Sequence, residues 1–523
     1  MGYILMQRQR VAAGLVARAL LSSAALMHAR ETNPIVQTVG VSAVLMAIDA
    51  PANAVVVAGN DATGGRVVVF DARTGAIVHA IATHGGVAAG GELVPPSILA
   101  LDEPAHRAYV TTPGYGTGVT SRGHLSVVDT QHGTLVRTVT LALPPIALAV
   151  DRRAGRIVVV TAANATMSRY HNRGDVTVLD ARSGAIVQEV LVNKGAVAVG
   201  VDERTGRAFV TAQFTDSNGN PRGPGLVTVL DSTSGRVLRT VAIAQNPYQV
   251  VVDERDDHVF ALSVSSRAPY DGHLTMLDAR TGVPLRTTRV GPSPTILSTD
   301  ETPGRLLTMN AGAGAGLGSM SVVDAHSGAL VRTISLSDTP QAVALDTMMT
   351  PSGQQDHLFI AAEDNSNRTC ATGPSRVLIT DLSRHADASK GRMLRTVAVG
   401  KNPRAIAIDE RRGRVFVVTA GDADPMRSCI PTEHGAVSVL DARTGRVLRI
   451  IPIGVAPTAI AVDERTGRAF VLNAGGAMSI RAAAAWSWLP GWSRRRLPFI
   501  PAAPPGVRVQ VAPASIMVLD ATR

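Results

Sequence analysis

The chain is poor in cysteine and in aromatic residues. Its 523 residues include 2 Cys, 8 Phe, 6 Tyr and 3 Trp. Two cysteines cannot build a disulfide scaffold, a multi-cysteine zinc site or an iron–sulfur cluster. No run of 18 uncharged apolar residues occurs, which argues against an ordinary membrane-spanning helix. Walker A, HExxH, CxxCH and GxSxG sequences are missing. AGAGAGLG (311–318) departs from GxGxxG and precedes a strand-like run, not a helical one. DSNGN (216–220) begins like a calcium loop, but Pro221 stands where Gly is required and no acid closes the loop. His124, His171, His273 and His434 fall in working-face loops of four different units, and converging on one metal would need long reaches across the ring. The expectation is no catalytic set, no metal and no cofactor.

A 45% hydrophobic fraction is too high for a disordered chain, and one phrase recurs through it. AVDERTGRAFV (461–471), AIDERRGRVFV (407–417) and GVDERTGRAFV (200–210) are clear copies, and the Asp of the phrase falls at 49, 102, 151, 202, 253, 300, 346, 409 and 463. A second phrase interleaves with it, as in VTVLDARSGAIVQEV (176–190) and VSVLDARTGRVLRII (437–451). Each unit thus offers four short runs, A to D, rich in Val, Ile, Leu and Thr, which read as strands. In DERTGR and DARTG the Asp oxygen accepts from backbone N–H groups further on, and Gly takes the positive φ that closes the turn. Helix capping is excluded because no 3.6-residue period follows. Four antiparallel strands repeated about every 50 residues define the blade of a β-propeller.

The expected fold is therefore all-β: a single propeller of four-stranded blades, nine by repeat count, with seven or eight as the alternative. Unit seven, with QQDHLFIAAED and the stretched LSRHADASKGR, is the least regular. PIVQTVG (34–40) matches a D run, and the ninth unit stops after its C run, SIMVLDATR (515–523). The N-terminal strand is thus expected to complete the last blade and remove an open edge. The propeller occupies 34–523, preceded by a basic N-terminus, 1–33.

The B runs Ala108-Tyr109-Val110-Thr111-Thr112, Ala208-Phe209-Val210-Thr211-Ala212 and Ala469-Phe470-Val471-Leu472-Asn473, with VSVLDARTG after them, resemble the YVTN-repeat β-propeller family, which includes surface-layer proteins. The resemblance covers roughly 34–475 and 515–523. It implies an extracytoplasmic binding scaffold with no shared catalytic residues; some relatives bind DNA, and other propellers are lactonases.

Tight A–B and C–D turns share one face, while the longer B–C and D–A links share the other, which is expected to be the working face. Seven of the nine D–A links carry Pro just before strand A. The residue after Pro is expected at the rim of the central channel, which places Tyr248, Gln341 and Arg404 there. Cys370 and Cys429 lie in equivalent B–C loops of adjacent units and are expected to form a disulfide in an oxidising compartment.

The formal charge is +10, but residues 1–30 hold Arg8, Arg10, Arg18 and Arg30 without an acid. The 474–514 insertion in the last blade adds Arg481, Arg494, Arg495, Arg496 and Arg508, again without an acid, so the remaining ring carries +1. Residues 11–29 resemble the apolar part of a signal peptide. The insertion also holds Trp486, Trp488 and Trp492. Its composition fits membrane-surface contact, partner docking or a plug over the channel. The leading expectation is a non-enzymatic extracytoplasmic scaffold, secreted or on the cell surface and monomeric. It would bind a protein, glycan or cell-surface component through its long-loop face. The alternatives are a propeller hydrolase or lactonase with a channel-bound metal, and a nucleic-acid-binding propeller. A nearly neutral ring disfavours the last of these.

Overall fold

The computed structural model describes residues 35–520 except 39–41, 62, 88–92, 95, 115–121, 163–173, 193–194, 214–222, 301–303, 313–317, 351–352, 364–374, 383–391, 422, 425–429, 432–433, 455 and 474–514. Cys370, Cys429, the N-terminal 1–33 and the Trp/Arg insertion lie outside the described residues.

Nine four-stranded antiparallel sheets follow one another along the chain. Eight have their strands A to D in chain order, as in blade 1: Ser42–Asp49, Ala54–Asp61, Gly64–Asp71 and Ile77–Thr83. The ninth is assembled from both ends of the sequence. Pro457–Asp463, Arg468–Asn473 and Ser515–Asp520 form its strands A to C, and Ile35–Thr38 is its outer strand. Val36 lies opposite Met517, and Gln37 opposite Ile516. Neighbouring A strands touch at eight of the nine junctions, including that of blades 9 and 1, and at the blade 6–7 junction strand B of blade 6 meets strand A of blade 7. The irregular unit seven is a full blade. Its first hairpin, Thr339–Thr350 and Gly353–Glu363, is extended well beyond the tight DERTG geometry of the other units.

The scarce aromatics explain how the ring is packed. There are nine buried apolar clusters, one between each pair of adjacent blades. Tyr109, Phe209, Phe260, Phe359, Phe416 and Phe470 occupy the same position of strand B in six blades, and all are fully buried. Each fills the seam toward the following blade. At the last seam Phe470 and Leu472 meet Val55, Val57, Val68 and Phe70 of blade 1. Nine small seams replace one large core, so few aromatic residues suffice.

The recurrent turns work as their composition predicts. Asp441 accepts from Thr444 N at 2.8 Å and Thr444 Oγ1 at 2.7 Å, and Asp180 does the same with Ser183. Gly445 has φ 66°. The turn therefore favours glycine, and a Cβ there would lie 2.3 Å from Ile379 Cδ1 of the preceding blade and displace the end of that side chain. Side-chain hydrogen bonds also tie the seams. Arg395 Nη1 donates to Thr444 O at 2.8 Å, and Tyr109 Oη to Ala181 O at 2.9 Å.

Candidate binding site at the channel mouth

Strand A is innermost, so its free edge faces the axis. In eight of the nine blades this strand carries a β-bulge at its start, on the long-loop side. The extra residues are Val44, Ile146, Val197, Tyr248, Thr295, Gln341, Arg404 and Thr458. A bulge leaves one residue unpaired and re-aims its side chain. The position after Pro, selected from sequence as the rim, is the bulged position in six of the seven blades that carry this Pro.

The three rim residues named from sequence behave differently. Tyr248 Oη donates to Pro294 O at 2.5 Å and ties blade 5 to blade 6. Its neighbour Gln249 forms a pair of bonds with Leu297, Nε2 to O at 3.2 Å and Oε1 from N at 3.1 Å. That fills one backbone slot on the free edge of blade 6. Gln341 and Arg404, in blades 7 and 8, are brought together around Glu363, which sequence reasoning missed. Gln341 Nε2 donates to Glu363 Oε2 at 3.3 Å. Glu363 is 8% exposed, and its Oε1 is buried with no hydrogen-bond partner among the described residues. Burial pushes its carboxyl above the usual range, and the nearby Arg404 charge opposes this. Arg404 is open to the channel yet walled by protein, and that loss of hydration lowers its pKa. The available signal for Glu363 was an acid at the end of strand B, at the position where units six and eight have Ala311 and Ala420.

The backbone leading into strand A is set in an uncommon conformation. Asn246, Ser293, Asn402 and Ala456, each just before the strand's Pro, have φ between 50° and 60°. Asn tolerates this left-handed region, whereas Ala pays a steric cost of about 1 kcal/mol or more. Asn402 is locked on both sides, its N donating to Ser375 Oγ at 3.1 Å and its O accepting from Ala420 N at 2.9 Å. Ala456→Asn is expected to raise stability by about 1 kcal/mol in chemical denaturation. An unchanged or lower midpoint would show that the link is unstrained.

His124 opens strand C of blade 2 and stacks on His84, which follows strand D of blade 1, with ring centroids 3.5 Å apart. His124 Nδ1 is buried without a hydrogen-bond partner among the described residues. Burial first, and then the His84 charge, bring the His124 pKa down to about 4 from 6.5. The unfolded chain therefore binds a proton in this window that the folded chain refuses, and stability contributed by neutral His124 is lost as pH falls from 6.5 toward about 4. Relative to His124→Gln, the wild type should lose on the order of 2–3 kcal/mol across that range, read from denaturation midpoints. Parallel curves for the two proteins would contradict it.

Nine four-stranded blades around an axis, with a bulged inner rim, define a nine-bladed β-propeller. No family model matches the chain, and no curated protein matches it. Many solved structures do. BamB from Moraxella catarrhalis is similar at 16% identity and TM-score 0.40, covering 72% of this chain and 97% of that one. The Dos1 propeller is similar at 11% identity and TM-score 0.49, covering 73% and 90%. Likeness at this level says nothing about ligand or partner, and the propeller assignment stands on the chain's own sheets.

Proposed function

We propose that this protein is a non-enzymatic, extracytoplasmic binding scaffold of the YVTN-repeat type, which engages a protein or cell-surface component through its long-loop face. The observation that carries this reading is the ring of bulges. Eight inner strands carry this bulge at one mouth, and the seven bulged residues with described side chains are Ile146, Val197, Tyr248, Thr295, Gln341, Arg404 and Thr458. The opposite face repeats an Asp-x-x-Thr/Ser-Gly turn in six of its C–D links, where one carboxylate oxygen accepts from the turn's own backbone. A varied rim on a rigid ring suits recognition, and a repeated, self-satisfied one suits structure. The YVTN-like strand B phrases, the signal-like 11–29 segment and the expected Cys370–Cys429 bridge support an extracytoplasmic setting.

A photo-crosslinking residue placed at Thr458 or Ile146 tests the face, with Arg204 and Arg465 on the tight-turn side as controls. In an envelope extract of the source cells, a discrete adduct is expected from Thr458 and Ile146 only. Adducts from Arg204 or Arg465 alone would place the working surface on the other face.

A further inference from the structure

Charge is scarce at the bulged positions of the rim among the described residues. Of the eight bulged residues, Arg404 is the one that carries a charge. Among the described residues its guanidinium has no hydrogen bond or ion pair within 4 Å, only the longer-range attraction of Glu363. Its backbone is held by the locked Asn402 link and by Pro403, so the cation is presented in place. Glu363 cannot swing out to neutralise it, because Oε2 is held by Gln341 and the side chain is buried. In a ring of nine, blades 3 and 4 are each four steps from blade 8, in opposite directions. The apolar bulges Ile146 and Val197 of those two blades therefore lie across the channel from Arg404.

We propose that the mouth binds a carboxylate-bearing peptide segment of a partner. One acidic group would pair with Arg404, and bulky apolar side chains would lie toward the Ile146–Val197 arc. The inference rests on the long-loop face being the working one and adds the ligand's chemistry. A single guanidinium matches one carboxylate in bidentate fashion. Glu363 beside it leaves too little net positive charge for a phosphate or for a polysulfated chain, which need several cations. An apolar arc opposite the cation suits side chains such as Leu better than the hydroxyl-rich surface of a glycan. Glu363 is a positioning residue here. It touches no ligand, and its charge sets how strongly Arg404 attracts an anion.

The test uses the full chain and three fluorescein-labelled probes in anisotropy titrations. These are a short peptide of alternating Leu and Asp, the same peptide with Asn for Asp, and a heparin oligosaccharide. The Asp peptide is expected to bind about tenfold more tightly than the Asn peptide. Arg404→Ala should abolish that preference and Arg404→Lys weaken it. Glu363→Gln should strengthen binding of the Asp peptide a few-fold by removing the competing charge. Arg404 is exposed and makes no ladder contact with its side chain, so its variants should melt with the wild type. Equal binding of the two peptides, no binding of either, or an unchanged preference in Arg404→Ala overturns the proposal. Heparin binding that depends on Arg404 replaces the peptide by an anionic glycan and overturns it as well. Crosslinks from Thr458 and Ile146 that persist in Arg404→Ala would leave the binding face intact while this inference fails.

Discussion

Phe470→Ala is expected to destabilise the protein by about 3–5 kcal/mol, the cost of emptying a fully buried aromatic site. Phe470 is 0% exposed, and its partners Val55, Val57, Val68 and Phe70 come from the first blade, at the other end of the chain. The size of the effect therefore reports whether the ring is shut. In an open arc Phe470 would face water at the end of the array and its removal would cost little. Phe416→Ala, at the seam between blades 8 and 9, is the matched control. Closure predicts that the two variants lose similar stability in chemical denaturation. A near-neutral Phe470→Ala beside a costly Phe416→Ala would contradict it.

Deleting residues 1–38 should be the most damaging truncation, lowering stability by about 3 kcal/mol or more and promoting association. It removes the outer strand of blade 9 and leaves Ser515–Asp520, still paired with Arg468–Asn473 on its other side, as an exposed sheet edge. An exposed edge pairs readily with other chains. A synthetic peptide spanning 31–41, added in excess, should restore part of the lost Tm, because a strand that binds only the folded ring stabilises it by mass action. Thermal melts of the truncated chain with and without peptide provide the check. A truncation that melts with the full chain would mean that the clasp contributes nothing.

The features that were legible in the sequence are local or repeat. The Asp, Thr or Ser, and Gly of each turn lie within five residues and act on their own backbone, so their spacing states their role. The clasp was legible because PIVQTVG matches the D runs of the other units and stands ahead of the first A run. The rim position was legible through Pro, which marks the start of strand A. Its bulge was not, because the register shift arises from pairing with strand B and leaves no local signature. Glu363 and the His84–His124 stack were missed for a related reason. Each joins side chains from different strands or blades, and only the closed ring brings them into contact. Unit seven's irregularity is a lengthened hairpin, Thr339–Thr350 with Gly353–Glu363, and removes no blade.

The mouth with Arg404 exists only if the chain closes on itself, and closure has one direct test. Cysteines are introduced as the pairs Val36→Cys with Met517→Cys and Gln37→Cys with Ile516→Cys, in a background where Cys370 and Cys429 are serine. Adjacent pairs in an antiparallel ladder alternate between hydrogen-bonded and open geometry, so one of the two has the closer side chains. Mild oxidation followed by mass mapping is predicted to show an intramolecular disulfide between Ile35–Thr38 and Ser515–Asp520 in at least one pair. Free thiols or only intermolecular bridges in both pairs would contradict the closed nine-bladed ring.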